Sequence, residues 1–280
     1  MKGTTKLRQL LSQPGMLLAP GAHDAMTARI VEAEGFQAVY LGGFATSASM
    51  LAIPDHSLIT MTELLAQARN AAAAVNIPII SDLDDAGGTP LSARRTIRLA
   101  EQAGLAGVHV EDLVPGKHFL GHRDRLFPKA QAADKIKAAV DARTDQDFVI
   151  IARSDAIGVT SLDDAVERAN AYAEAGADLL FLPYLRPRDT RKVVDVLPKP
   201  LLNVVMGTPR QELEQAGLKV AIYPVQSLFV AYHAVREMMK ELKSTGTIGN
   251  FSQRAPTMEA FNEFIGAKDA TQLAEKYRIV

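Results

Sequence analysis

Cysteine is absent from the 280-residue chain, which excludes disulfides, thiolate metal sites and a thiol catalyst. Excess charge is absent too: 31 Lys and Arg against 32 Asp and Glu leave a formal net charge of −1, interspersed along the sequence. That distribution offers no basic face to nucleic acid or to an anionic membrane, and neither is expected as a partner. No uncharged apolar run approaches the roughly 20 residues that cross a bilayer. The opening MKGTTKLRQLLSQPG interleaves charges with its leucines and does not have the form of a secretory signal. A soluble cytoplasmic protein is therefore expected. A GxGxxG loop is also missing after every apolar run, which argues against a doubly wound dinucleotide fold.

What is present is an apolar fraction of 48%, ordinary for a globular protein with a large core. It is laid out as a repeat in which a helical stretch ends in a small residue plus Gly and an apolar run follows. The units are AEGFQAVYLGG (33–43), QAGLAGVHVED (102–112), EAGADLLFLP (174–183) and QAGLKVAIYP (215–224). Gly35, Gly104, Gly176 and Gly217 suit the left-handed position that stops a helix. Four further runs, MLLAPG (16–21), IPIISDLD (77–84), FVIIARSD (148–155) and PLLNVVMG (200–207), bring the strand candidates to eight. Helical patterns such as 163–176 separate most of them. Eight alternations of strand and helix predict an α/β fold, a closed (β/α)8 TIM barrel. Leu7, Leu10 and Leu11 predict an amphipathic helix closing one end of its core. Two helical stretches, 227–246 and 257–278, exceed what a barrel needs. The chain reads as one domain, 1–280, with a C-terminal helical extension from about 227.

Barrel enzymes act at the carboxyl ends of their strands. Those ends carry His23 and Asp24; Tyr40, Gly42 and Gly43; Asp82 and Asp84; Glu111 and Asp112; Arg153 and Asp155; Tyr184; Asn203; and Tyr223 with Gln226. A lone Asp at such a place is more often a helix cap, and Asp24 and Asp163 fit that role. Asp82 and Asp84, two apart along a strand, are expected to point the same way. With Glu111 at the next strand end, they would repel one another without a cation between them. An all-oxygen set of this kind suits a hard divalent ion such as Mg2+. Arg153 beside it is suited to clamp a substrate carboxylate in a bidentate fork. His109, inside an apolar strand, reads as a hydrogen-bonded core residue.

The same residues resemble the isocitrate lyase/phosphoenolpyruvate mutase superfamily over essentially the whole chain. PGAHDAMTARIVEAEGFQAVYLGG is similar to its opening unit and TSASMLAIPD to its gating segment; SDLDDAGG resembles its DxDxGxG metal loop, with Ala86 where a Gly is usual. VHVED and DFVIIARSDA are similar to the strands that bear its supporting glutamate and its substrate-holding arginine. The resemblance implies Mg2+, or Mn2+ in its place, on Asp82, Asp84 and Glu111. It implies Tyr40, Asp55 and Arg153 as catalytic residues; the strand-end residues Gly42 (where the family commonly has a substrate-binding Ser), Gly43 and Asn203, with Arg153, are the candidate contacts to a small carboxylate substrate. It also implies a metal-stabilised enolate formed as a bond to C3 breaks, and a homotetramer or dimer of helix-swapped dimers.

Departures from the family narrow the expected chemistry. The lyases carry a cysteine acid in a KKCGH-type loop; here the stretch is EDLVPGKHFLGHRDR, with Lys117, Gly121 and His122 in place and Phe119 or Leu120 at the cysteine. The KTN-type loop of the C–P enzymes is absent. The favoured reading is thus a carbon–carbon lyase that decarboxylates an oxaloacetate-like acid, its enolate protonated by water or by a histidine, with His122 (or His118) in a lid over 115–127 as the candidate replacement donor. A methylisocitrate- or dimethylmalate-type C–C lyase with a non-cysteine acid, a C–P phosphonomutase or hydrolase, and a non-catalytic carboxylate-binding barrel are the alternatives.

Overall fold

The computed structural model describes residues 1–115, 117 and 125–279. Two compact units divide the chain, Met1–Leu228 and Phe229–Val280. The first opens with α1 (Gly3–Ser12), β1 (Leu17–Ala22), α2 (Ala25–Ala33), β2 (Val39–Leu41), α3 (Gly43–Leu51), α4 (Met61–Ala74), β3 (Ile79–Asp82) and α5 (Pro90–Gln102). It continues through β4 (Gly107–Glu111), α6 (Lys129–Ala142), β5 (Val149–Arg153), α7 (Ala156–Val159), α8 (Leu162–Glu174) and β6 (Leu179–Phe181). Then follow α9 (Pro187–Val194), β7 (Leu201–Val204), α10 (Arg210–Gln215) and β8 (Val220–Tyr223). α11 (Gln226–Thr245) leads into the second unit, which holds α12 (Gly249–Ser252), α13 (Met258–Phe264) and α14 (Ala267–Lys276).

The eight strands are parallel, each pairs with the next in sequence, and β8 pairs with β1 to close the barrel. Each of the eight expected apolar runs coincides with one of these strands, β1 extending one residue past its run to Ala22. Alternation along a strand sorts the core into two layers. Val149 and Ile151 of β5 join Leu17, Ile80, Leu179, Leu202 and Val220 in one cluster, whereas Ile150 and Ala152 join Ile97, Ile136 and Tyr172 of the surrounding helices in the other. Leu7 and Leu10 of α1 belong to the first cluster, as their spacing predicts. Gly107 makes room there: a Cβ at that position would lie 3.1 Å from Leu7 Cδ2 and 2.9 Å from Val149 Cβ. The four helix-stopping glycines, Gly35, Gly104, Gly176 and Gly217, all have φ between +81° and +100°.

Two local expectations need correction. Asp24 caps α2, accepting from the Thr27 amide, but α8 is capped by Ser161, which accepts from the Asp164 amide; Asp163 lies inside the first turn. The stretch 257–278 is two helices rather than one, because Gly266 takes φ +86° and interrupts the ladder.

Candidate active site

The carboxyl ends of β2 to β5 converge on a buried ionic cluster. Asp82 ends β3 and Glu111 ends β4; in β5, Arg153 is the register partner of Glu111. Asp84 reaches the cluster by a different route from strand alternation. It lies beyond the end of β3 with φ +47°, and its amide donates to Asp82 Oδ1 at 2.9 Å. Its carbonyl in turn accepts from the Glu111 amide at 2.8 Å. A left-handed turn closed by these bonds brings the two aspartates together. Ala86, where the family has Gly, also has positive φ, +57°, which is the backbone reason a glycine suits that place.

One oxygen from each of Asp82, Asp84 and Glu111 lies within 4.8 Å of the others, and all three residues are buried. Gly43 at the start of α3 donates its amide to Asp82 Oδ2 at 3.2 Å. A Cβ on Gly43 would stand 3.1 Å from that oxygen and 3.2 Å from Asp84 Oδ1, so only glycine lets the helix approach both carboxylates. Gly42, the N-cap of α3, faces the Tyr40 ring, 3.1 Å from its own hypothetical Cβ.

Arg153 is almost fully committed within the cluster. Nε and Nη2 fork onto Asp155 at 2.8 and 2.9 Å, while Nη1 stands 3.1 Å from Glu111 Oε2 and 3.7 Å from Asp82 Oδ2. The bidentate face expected to meet substrate is thus turned onto a protein carboxylate, and Nη1 is the nitrogen nearest the acidic oxygens. Lys117, matched in the sequence to the lyase loop but given no role there, is a further component. Its ammonium is buried, 2.6 Å from Asp84 Oδ1, 3.2 Å from Glu111 Oε1 and 3.6 Å from Asp55 Oδ1. Asp55 thereby joins the cluster through Lys117.

Beneath the carboxylates, Tyr40 Oη and His109 Nε2 are 2.7 Å apart, and His109 Nδ1 faces Asp82 Oδ1 at 3.4 Å. His109 is a bonded core histidine as expected, and it also backs the Asp82 carboxylate. Asp112, next to Glu111, gathers four donors: the Ser154 hydroxyl and Tyr172 hydroxyl at 2.7 Å each, the Asp155 amide at 3.0 Å and Arg168 Nη1 at 3.3 Å. Asn203 stands apart: its amide donates to Leu185 O and accepts from the Val204 amide. His118 and His122 lie outside the described residues.

Electrostatics follow from burial and crowding. Burial and then the Asp82 and Glu111 charges push Asp84 up to about 7, against the pull of Lys117. Burial alone would raise Asp82, but the His109 ring, Lys117, Arg153 and the Asp84 amide hold it well below the usual carboxylate range. Burial raises Asp155 to about 6 in spite of its Arg153 fork. Burial lowers His109 to about 4, which keeps the ring neutral near pH 7. Although burial opposes it, Lys117 is held well above the ordinary lysine range by Glu111, Asp82, Asp84 and Asp55.

These features fit a hard divalent cation. Asp82, Asp84 and Glu111 supply oxygen donors only, the Asp84 carboxyl is raised by burial and then by like charge, and among the described residues buried Glu111 Oε2 has no aligned hydrogen-bond donor. The fold and the cluster together define a (β/α)8 barrel with a buried carboxylate cluster at its mouth that could hold a metal ion.

Comparison with known proteins agrees. The phosphoenolpyruvate phosphomutase family model matches residues 7–243, and the chain belongs to this family, within the PEP mutase/isocitrate lyase superfamily. It is 38% identical to the 2,3-dimethylmalate lyase of Eubacterium barkeri across 99% of both chains. Oxaloacetate acetylhydrolase, solved with the inhibitor 3,3-difluorooxalacetate, superposes with a TM-score of 0.90 at 28% identity, covering 99% of this chain and 97% of that one. Phosphonopyruvate hydrolase, solved with oxalate and Mg2+, gives 0.91 at 29% identity across 99% of both.

Proposed function

We propose that this protein is a Mg2+-dependent carbon–carbon lyase acting on a small 2-oxo or 2-hydroxy dicarboxylate. The observation that carries the reading is the trio of buried carboxylates, Asp82, Asp84 and Glu111, sharing oxygens within 4.8 Å beside Arg153. Those three would hold Mg2+, or Mn2+ in its place. When bound, the ion supplies Lewis-acid stabilisation of the oxyanion charge that develops as the bond to C3 breaks. The oxalate and Mg2+ bound by phosphonopyruvate hydrolase support this pairing of cation and 2-oxo carboxylate.

The chain's own groups would do the rest. The N-terminus of α3 at Gly42 and Gly43 suits a substrate carboxylate through its positive dipole end, with the Gly43 amide, already donating to Asp82 Oδ2, shared between the two. Arg153 Nη1 adds cationic charge on the adjoining side. Asp155 holds the guanidinium at a fixed angle through its fork. Tyr40 and His109 back Asp82 and exclude water from beneath it.

Within this class we favour decarboxylation of an oxaloacetate-like acid, because a chain with no cysteine has no thiol to protonate a departing carbanion. A second reading, C–C cleavage of a dimethylmalate-type hydroxy diacid, is favoured by the 38% identity to 2,3-dimethylmalate lyase. The deciding experiment supplies oxaloacetate, 2,3-dimethylmalate, 2-methylisocitrate and phosphonopyruvate with Mg2+ or with EDTA, and follows each product. Mg2+-dependent CO2 release from oxaloacetate supports the favoured form. Mg2+-dependent cleavage of dimethylmalate alone supports the second. Full activity in EDTA, or binding of oxalate with turnover of nothing, defeats the lyase reading as stated.

A further inference from the structure

Lys135 is a buried lysine with no part in the proposed chemistry. It stands on α6, one of the helices around the barrel, and is only 2% exposed. Its Nζ donates to the main-chain carbonyl of Glu111 at 3.0 Å and lies 4.4 Å over the Phe127 ring. Phe127 is itself anchored to the residue after Glu111, its amide donating to Asp112 O at 2.8 Å. Asp85, Glu111 and Asp112 are the acids that face Lys135, and they offset part of the downward pull of burial on its nitrogen. Burying an amine costs free energy that an apolar side chain of the same length would not, so packing alone does not account for a lysine here.

The main chain supplies the reason. On the β3 side of β4, His109 O accepts from the Leu83 amide at 3.2 Å, and the Glu111 amide donates to Asp84 O at 2.8 Å. Glu111 O is the next carbonyl on that side, and a regular ladder would give it the Asp85 amide. The chain leaves the ladder before that point, at Asp84, whose φ is +47°. The turn that brings the Asp84 carboxylate to Asp82 therefore takes a donor away from Glu111, and a buried carbonyl left without one is costly. Among the described residues, Lys135 Nζ is the donor that reaches it. We propose that Lys135 is a positioning residue for Glu111: it completes the ladder that the Asp84 turn interrupts, and so fixes the spacing of the Asp84 and Glu111 carboxylates. The proposal rests on the metal reading given above.

The test measures binding of Mn2+ alone, by electron paramagnetic resonance of the free ion, to full-length wild type, Lys135→Met, Lys135→Gln and Ile136→Val. Methionine keeps the unbranched stem without the donor, and glutamine keeps a polar end on a shorter stem. Ile136→Val is the control: it loosens a buried position on the same helix and leaves the Lys135 bond to Glu111 O in place. Both Lys135 variants should bind Mn2+ at least about tenfold more weakly, the lower end of the loss when a group that orients a metal ligand is removed. Ile136→Val should bind as wild type does, although its melting temperature falls. Wild-type affinity in the Lys135 variants overturns the proposal. An equal loss in Ile136→Val overturns it too, since the effect would then be one of stability. If neither Lys135 variant folds, Phe127→Leu decides in their place, because it removes only the ring beneath Nζ. Weaker Mn2+ binding in it supports the proposal, and wild-type binding overturns it. Asp84→Asn tests the underlying reading by itself: if it keeps wild-type Mn2+ affinity, the metal site is misassigned whatever Lys135 does. No Mn2+ binding by wild type sinks both.

Discussion

At the residue scale, Asp84 makes stability depend on pH in a direction opposite to that of most carboxylates. Its unfolded value is 3.8 and its folded value about 7, so between them the native state carries a proton that the unfolded chain has lost. Stability of the metal-free protein then falls as pH rises through that window. Asp155 acts the same way up to about 6, while His109, lowered from 6.5 to about 4, acts against them. Two groups against one leave a net decline. Melting in EDTA should show it, and Asp84→Asn should flatten the curve; a metal-free protein that stabilises steadily from pH 4 to pH 7 contradicts the account. Gly43→Ala separates site from fold. Alanine favours a helix over glycine, but its Cβ would press on Asp82 and Asp84 at 3.1–3.2 Å. The expected outcome is weaker Mn2+ binding with an unchanged or raised melting temperature. Arg153→Lys loses both the Asp155 fork and the planar charge at Glu111. A loss of at least ~1.5 kcal/mol in transition-state binding is expected, the lower end for hydrogen bonds to charged groups. An unchanged kcat/KM would make Arg153 structural.

At the scale of elements, the site depends on how β4, β5 and α8 are locked together. Asp112 at the end of β4 accepts from Ser154 and Asp155 beyond β5 and from Arg168 and Tyr172 of α8. Arg168 also donates to Phe127 O, and the Phe127 amide donates to Asp112 O, which ties the start of α6 to the same hub. Tyr172→Phe removes one donor to a buried carboxylate and should destabilise the protein by about 1.5–3 kcal/mol. Urea unfolding measures this, and a change under ~0.5 kcal/mol would show that the remaining donors suffice. The β3 turn teaches a related point about legibility. The SDLDD motif was readable as a carboxylate pair, yet the reason the pair converges is the left-handed backbone at Asp84, and an aspartate in a sequence does not announce its φ angle.

At the scale of the whole molecule, the second unit poses the question of assembly. α13 and α14 contain no buried residue, and Phe229, Val230, Val235, Met239, Phe261 and Leu273 are exposed in the single chain. An apolar surface of this kind needs a partner, and a homotetramer, or a dimer of helix-swapped dimers, is the expected state. Light scattering at micromolar concentration checks it; a monomer there rules it out. Among the described residues no helix is long and apolar enough to cross a membrane.

The amino-acid sequence by itself determined the architecture, because apolar runs that recur eight times and helix-stopping glycines that recur four times are local signals. It also determined the strand-end chemistry of Asp82, Glu111 and Arg153, since residues at the end of a parallel strand have one mouth to face. Only the tertiary structure decided which charges meet. Lys117 was legible as a match to the lyase loop but with no assigned contact, and only folding places it against Asp84, Glu111 and Asp55. Likewise Arg153 and Asp155 were legible as neighbours but not as a closed fork, and Asn203 was legible as a strand-end amide but not as one already bonded to Leu185 and Val204. Pairing between side chains is set by distance in space and by what burial withholds from water, and the order of residues along the chain carries neither.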